Sequence, residues 1–377
     1  MVGIRSSSAV FLIAIVSLLL MPRSVRADFT FGSGADQFTI TTVTVGNAGN
    51  SGDAGTTYSG HVSAGSISYT YEVMKYEVTR DMVFKFNNQN SASSGSRDIT
   101  LDLPDPGAAY QNDYNPYRFN TPGDASTGLR DTLPASGIGA LEAAQFVNWL
   151  NTDAGYSPAY NLDMNNDSSD LSTWSVAEWD SGDSGYLASQ PFRNSNARFF
   201  LMNFDEAYKA AFYDSSTDTY FDYAISSDTA PQIYGEAGRA GTWQGTHSDT
   251  IVKVGNIMGI AEVDQTGGVS PYGVMGITGN VRDMLEFRTT TAVGTFGGHV
   301  ADGSLWGTSS NDSNLYYGYN FTESSANGFR VLYADLSSSS GGSSSPTVPE
   351  PGTAMALGLL GIVGFANHRR SRRVRSL

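Results

Sequence analysis

Three stretches of the chain repeat their apolar residues at the spacing of a helix face. In "TRDMVFKFNN", Met82, Val83 and Phe86 share one side, and Thr79 precedes them as an N-cap. In "GALEAAQFVNWLN" the apolar positions are Ala140, Ala143, Ala144, Val147 and Leu150. In "NFDEAYKAAFYD" they are Phe204, Ala207, Tyr208, Ala211 and Phe212. Asn203 and Glu206 stand three apart at the start of that stretch, the spacing at which each side chain accepts from the other's orphan backbone N–H. This pair therefore reads as a helix cap and not as catalytic machinery. In "SISYTYEVMKYEV" the period falls to two, with Ile67, Tyr69, Tyr71 and Val73 on one face, and "GFRVLYADL" reads as a closing strand. The segment up to Val62, rich in Gly, Thr and Asn, predicts an edge strand with an irregular loop. No internal repeat is visible, so the pattern predicts one loop-rich α+β domain of about three hundred residues.

The two ends follow other rules. Arg5, an apolar run from Ala9 to Met21, and Val25-Arg26-Ala27 form a secretory signal over residues 1–27, cut before Asp28. The domain then spans residues 28–336, and residues 337–347 are a flexible Ser/Gly linker. Residues 348–377 begin with Val348-Pro349-Glu350-Pro351, continue through a short apolar run from Ala354 to Ala366, and close on an arginine cluster. This order resembles the PEP-CTERM sorting signal. The resemblance implies an exosortase as partner. It also implies export through the inner membrane, transient anchoring by a short transmembrane helix, and delivery to the cell surface or extracellular matrix. The alternative is a plain C-terminal anchor, for which the apolar run is short.

Charge excludes some partners. The two ends hold eight of the 22 basic residues and no acid beyond Pro351, so the core carries 14 basic and 37 acidic side chains, net −23. A field of that sign disfavours nucleic acid and anionic lipid. With 40% apolar and 12% aromatic residues the chain can still bury a core. It has no cysteine, so its stability rests on packing and on ions rather than on disulfides.

Eight segments, in order, carry a wider resemblance: "YEVMKYEVTRDMVFKFNN", "LPASGIGALEAAQFVNWLN", "AYNLD", "NARFFLMNFDEAYKAAFYD", "YAISSDTAP", "SPYGVMGITGNVRDMLEF", "GTFGGHV" and "NGFRVL". From Gly46 to Tyr333 the chain resembles the formylglycine-generating enzyme (sulfatase-modifying factor) family. That likeness implies a C-type-lectin-like α+β fold with few short helices and a core held by aromatic side chains. The family's reaction oxidises a sulfatase cysteine through a copper-binding pair of cysteines. A chain without cysteine offers no thiolate to Cu(I), so neither copper nor that reaction is expected. The segment between the Gly-Gly turn and Gly328 also carries Tyr316 and Asn320 where the related branch has arginines.

The family's Gly-Asn-Val-Trp-Glu-Trp turn, which holds calcium there, becomes Gly279-Asn280-Val281-Arg282-Asp283-Met284. By carry-over, Gly279 and Val281 offer carbonyls and Asp283 a carboxylate to calcium, although Gly276 stands where a side-chain ligand is usual. A tight glycine turn with Asp283 bonded to backbone fits the same residues. The acidic run "DMNNDSSD" lacks the glycine and the terminal acid of a calcium loop and reads as a solvated loop. The four histidines are scattered without zinc spacing. The candidate ligand groove is therefore His299, Trp306, Asp312, Tyr316 and Tyr317, with Tyr319 beside them and the rings placed to stack on sugars or to pack in the core. Two functions are expected from this: a non-catalytic binding or structural module facing a surface protein or extracellular polysaccharide, or an enzyme of altered, cysteine-independent chemistry in the same groove.

Overall fold

The computed structural model describes residues 28–58, 61–90, 99, 132–163, 174–233, 250–251, 263–264, 266–299, 309–312, 315–319 and 327–337. The signal, most of the linker, the sorting tail with its apolar run, Trp306, Tyr319's side chain and all of the acidic loop beyond Asp163 lie outside the described residues or side chains.

Within them the fold is α+β, dominated by sheets and loops. The larger sheet has five strands: β1 (Asp28–Phe31), β2 (Phe38–Val45), β3 (Tyr71–Met74), β4 (Phe199–Leu201) and, from the far end of the chain, the strand Val331–Tyr333. A four-stranded sheet holds β5 (Arg282–Thr289), β6 (Ala292–Phe296), β7 (Tyr316–Tyr319) and β8 (Asn327–Phe329), so the strand Val331–Tyr333 is β9. The first sheet runs β1-β2-β3-β9-β4, antiparallel throughout. In the second, running β7-β6-β5-β8, only β5 and β8 are parallel.

The three helices form where the period predicts them: α1 (Arg80–Asn90), α2 (Ala140–Asp153) and α3 (Phe204–Phe212). Thr79 Oγ1 accepts from Met82 N at 3.2 Å as the N-cap of α1. At α3 the reciprocal box is complete, with Glu206 N on Asn203 Oδ1 at 2.9 Å and Asn203 N on Glu206 Oε2 at 2.7 Å. The alternation of Ile67, Tyr69, Tyr71 and Val73 also holds, although only Tyr71–Met74 pairs as a strand.

Two features differ from expectation. The opening segment contains an eight-residue strand, β2, which lies inside the sheet and leaves only β1 at the edge. Its alternating Phe38, Ile40, Val43 and Val45 are buried, which a reading based on Gly, Thr and Asn content passes over. The closing strand is two strands, because the chain leaves one sheet after Phe329 and enters the other at Val331. Arg330 at the crossing is fully buried.

The core is aromatic. Phe31, Phe38, Phe86, Phe146 and Trp149 pack α1 and α2 onto the first sheet at ring distances of 5.3–6.3 Å. Asn151 of α2 clamps the edge strand β4, accepting from Arg198 N and Phe199 N and donating to Phe199 O at 2.7–3.0 Å. On the other side Phe204, Phe212 and Phe296 seat α3 against β6.

Candidate functional site

Two guanidinium groups are buried in this core, each serving two carboxylates. Arg330 donates through Nε to Asp283 Oδ2 at 2.7 Å, lies 3.2 Å from Glu77 Oε2, and gives its remaining donors to Met275 O and Lys75 O. Burial raises the pKa of both acids, against the opposing pull of Arg330. Asp283 thus pairs with an arginine, which corrects the reading that bonds it to backbone and takes one oxygen from the calcium reading. Among the described residues no group of three His, Cys, Asp or Glu could hold a metal.

The second centre is Arg193. It grips Glu206 of α3 bidentately, at 2.8 and 2.7 Å, bonds Glu286 of β5 through Nε, and caps Leu201 O at 2.8 Å. Tyr160 Oη accepts from Leu201 N at 2.7 Å and donates to Glu286 Oε1 at 3.3 Å, and Tyr69 donates to Glu206. Burial pushes the Glu286 carboxyl up to about 7, only partly countered by Arg193.

Glu286 also lines a cleft of about 370 Å³ between the start of α3, the end of β5, the β6–β7 pair and the loop carrying Glu178 and Gln190. Leu285, Phe287, Phe192 and Phe204 supply its apolar surface; Glu178, Gln190, Asn203, Asp205 and Arg288 supply its polar groups. Two of the charged groups are held in place by the fold. Asp205 accepts from Gly65 N at 2.9 Å, and Arg288 stacks on Tyr316 at 5.4 Å while donating to its Oη at 2.8 Å. The Tyr316 ring meets Phe204 edge-on at 5.6 Å and lies against Gly294, where a Cβ would come within 2.2 Å of it. Glycine at 294 is what lets the ring lie there.

Among the described residues, Tyr316 is the one member of the groove expected from sequence that lines this cleft. His299 is buried behind the Gly-Gly turn, which is tied down by Gly297 N on Leu315 O and Gly298 N on Thr278 O. Asp312 is half-buried in a turn, its N–H on Ser309 O and its carbonyl taking Leu315 N. Tyr317 pairs through its backbone with Thr295. Sequence reading missed Glu178, Asp205, Glu286 and Arg288. A signal existed for the last two: "MLEFR" puts charges at alternate positions beside apolar ones, in a chain only 16% charged.

Comparison with known proteins gives one match by sequence pattern. Residues 347–370 match the PEP-CTERM protein-sorting motif. The chain is thus an exported protein sorted to the cell surface, and exosortase is the partner that recognises its tail. No curated protein matches the sequence. Among solved structures, the chain is similar to Treponema denticola variable protein 1, at 14% identity over 82% of this chain and 99% of that one, TM-score 0.46. It is similar to CarF at 15% identity, covering 78% and 98%, TM-score 0.49. It is also similar to PvdO from Pseudomonas aeruginosa at 11% identity, covering 81% and 97%, TM-score 0.42.

Proposed function

We propose that the chain is a non-catalytic binding module displayed at the cell surface, built on a C-type-lectin-like frame of the formylglycine-generating enzyme type, and that it holds the extracellular polysaccharide of its own matrix. The observation that carries this reading is the cleft, where Asp205 and Arg288, groups of opposite sign, are fixed by internal bonds beside apolar side chains. Such an arrangement binds by preorganisation. The sorting tail supports the location, since it marks the chain for the surface. The lack of any cysteine supports the non-catalytic half, because the thiolate pair of the sulfatase-modifying reaction has no counterpart.

The test is cosedimentation of the purified full chain with the polysaccharide of its host, in calcium and in chelator. Saturable binding is expected, and its absence in both conditions refutes the reading. The calcium arm addresses the 279–283 turn, where Asp283 Oδ1 is buried and accepts no hydrogen bond. Loss of binding in chelator assigns a calcium ion to Gly279, Val281 and Asp283. Formylglycine appearing in a sulfatase peptide incubated with the chain would overturn the non-catalytic half.

A further inference from the structure

The cleft also says what kind of sugar it takes. We propose that it is a subsite for a neutral hexose residue of a glycan chain, bound by its hydroxyls between Glu178, Asp205 and Arg288. The proposal rests on the binding-module reading and narrows it to one ligand class.

Four observations carry it. First, the walls interleave acids with a guanidinium and the amides of Gln190 and Asn203. A hydroxyl both donates and accepts, so a ring bearing several of them satisfies such a set, whereas an anion meets three carboxylates. Second, the guanidinium is oriented before any ligand arrives, because Tyr316 holds it by one hydrogen bond and by its ring. Less conformational entropy is then lost on binding. Third, Gly318 lies two residues from Tyr316 on the same face of β7, paired with Gly294, and nothing lies within 4 Å of where its Cβ would stand. Gly318 is exposed, so a glycan chain can run past the ring there and need not end in the cleft. Fourth, the core's net charge of −23 keeps polyanionic glycans away. The volume of about 370 Å³ is at the small end of ligand clefts, suited to a ring or two of a longer chain.

The experiment is saturation-transfer NMR on the full chain with neutral gluco-, galacto- and manno-oligosaccharides, beside chitosan oligomers as cations and oligogalacturonate as anions. At least one neutral series is expected to bind, and oligogalacturonate is not. Arg288→Ala should weaken neutral binding about tenfold or more, the worth of a charge-assisted hydrogen bond, and Tyr316→Phe, which keeps the ring and removes the Oη anchor, about threefold. Should Arg288→Ala not fold, Arg288→Lys keeps the charge without the planar fork and is expected to show the same loss. Binding of charged oligomers only, or neutral binding unchanged in these variants, overturns the proposal. If the host matrix still cosediments while no neutral oligosaccharide binds, the subsite is wrong and the module reading stands. If neither binds, the module reading falls as well.

Discussion

Replacing Arg193 by methionine removes a guanidinium with 0% exposure and leaves Glu206, at 0%, and Glu286, at 8%, facing each other without it. The bonds lost are the bidentate pair to Glu206 at 2.8 and 2.7 Å, the bond to Glu286, and the cap on Leu201 O at 2.8 Å. Breaking a buried pair from one side costs about 3–5 kcal/mol, because the remaining charge is left desolvated. Relief comes by protonation. Glu286 already titrates at about 7 with Arg193 present, so without it the carboxyl takes a proton at still higher pH. The cost should therefore be largest near pH 8 and smaller near pH 5, where both states of the variant carry the proton more readily. Urea unfolding followed by tryptophan fluorescence at the two pH values measures this directly. Adding Glu286→Gln to the variant should recover part of the loss, since the second change removes the charge that the first exposes. A loss below about 1 kcal/mol, or one equal at both pH values, refutes the account of Arg193 as counter-ion to two buried acids.

Three further outcomes follow from the same structure. Glu286 has a folded-state pKa of about 7, above the ordinary carboxylate value, and burial raises Glu77 and Asp283 in the same direction. Their contribution is then complete below the ordinary value and lost as pH rises through about 7, so the melting temperature of the parent chain should fall between pH 5 and pH 8; a rise would contradict the burial argument. Asn203→Ala opens the capping box of α3 and should cost about 1 kcal/mol in urea unfolding, with Asn203→Asp retaining most of it. Changing Pro349, Glu350 and Pro351 to alanine should leave the domain's melting temperature unchanged and trap the protein in the membrane fraction, read by immunoblot of surface and membrane extracts.

How far sequence reaches depends on the range of the interaction. Helix α3 was legible because its cap and its stripe lie within ten residues of one another, and capping chemistry is local. The same holds for α1 and α2. A strand was expected in this segment, but at the edge: "FTITTVTV" is rich in strand-forming β-branched residues, yet its buried positions change phase at Thr42 and Val43, and its inner neighbour in the sheet, β3, is distant in sequence. The split of the last strand was invisible for a related reason. Nothing in "NGFRVLY" marks Arg330 as the point of crossing; only its partners Asp283, Glu77 and Met275 do, and they are more than forty residues away. The cleft shows the limit most clearly. Tyr316 was found because it lies in the segment that follows the Gly-Gly turn, whereas Glu178, Asp205 and Arg288 come from three separate elements whose meeting only the folded chain defines.

Arg193 and Arg330, both fully buried, stand where well-packed apolar groups of similar volume would serve stability as well or better. Their placement points to another role. Arg330 lies where the chain passes between sheets and bonds to Lys75 O, Met275 O and Asp283, which fixes how β3 and β5 approach the crossing. Arg193 joins the N-terminal turn of α3 to the middle of β5, and both elements line the cleft. A packed apolar trio has no preferred register at this junction, while a bidentate guanidinium allows one. The prediction is a separation of two properties. In the triple variant Arg193→Met, Glu206→Leu, Glu286→Leu, stability should fall by much less than in Arg193→Met alone, the loss being that of the opened capping box, while affinity for the matrix polysaccharide falls about tenfold as the walls lose their spacing. If stability and affinity fall together, the triad is structural support and no more; if both persist, the distance between α3 and β5 is set by the surrounding rings, Phe204, Phe296 and Phe287, and the cleft needs no ionic brace.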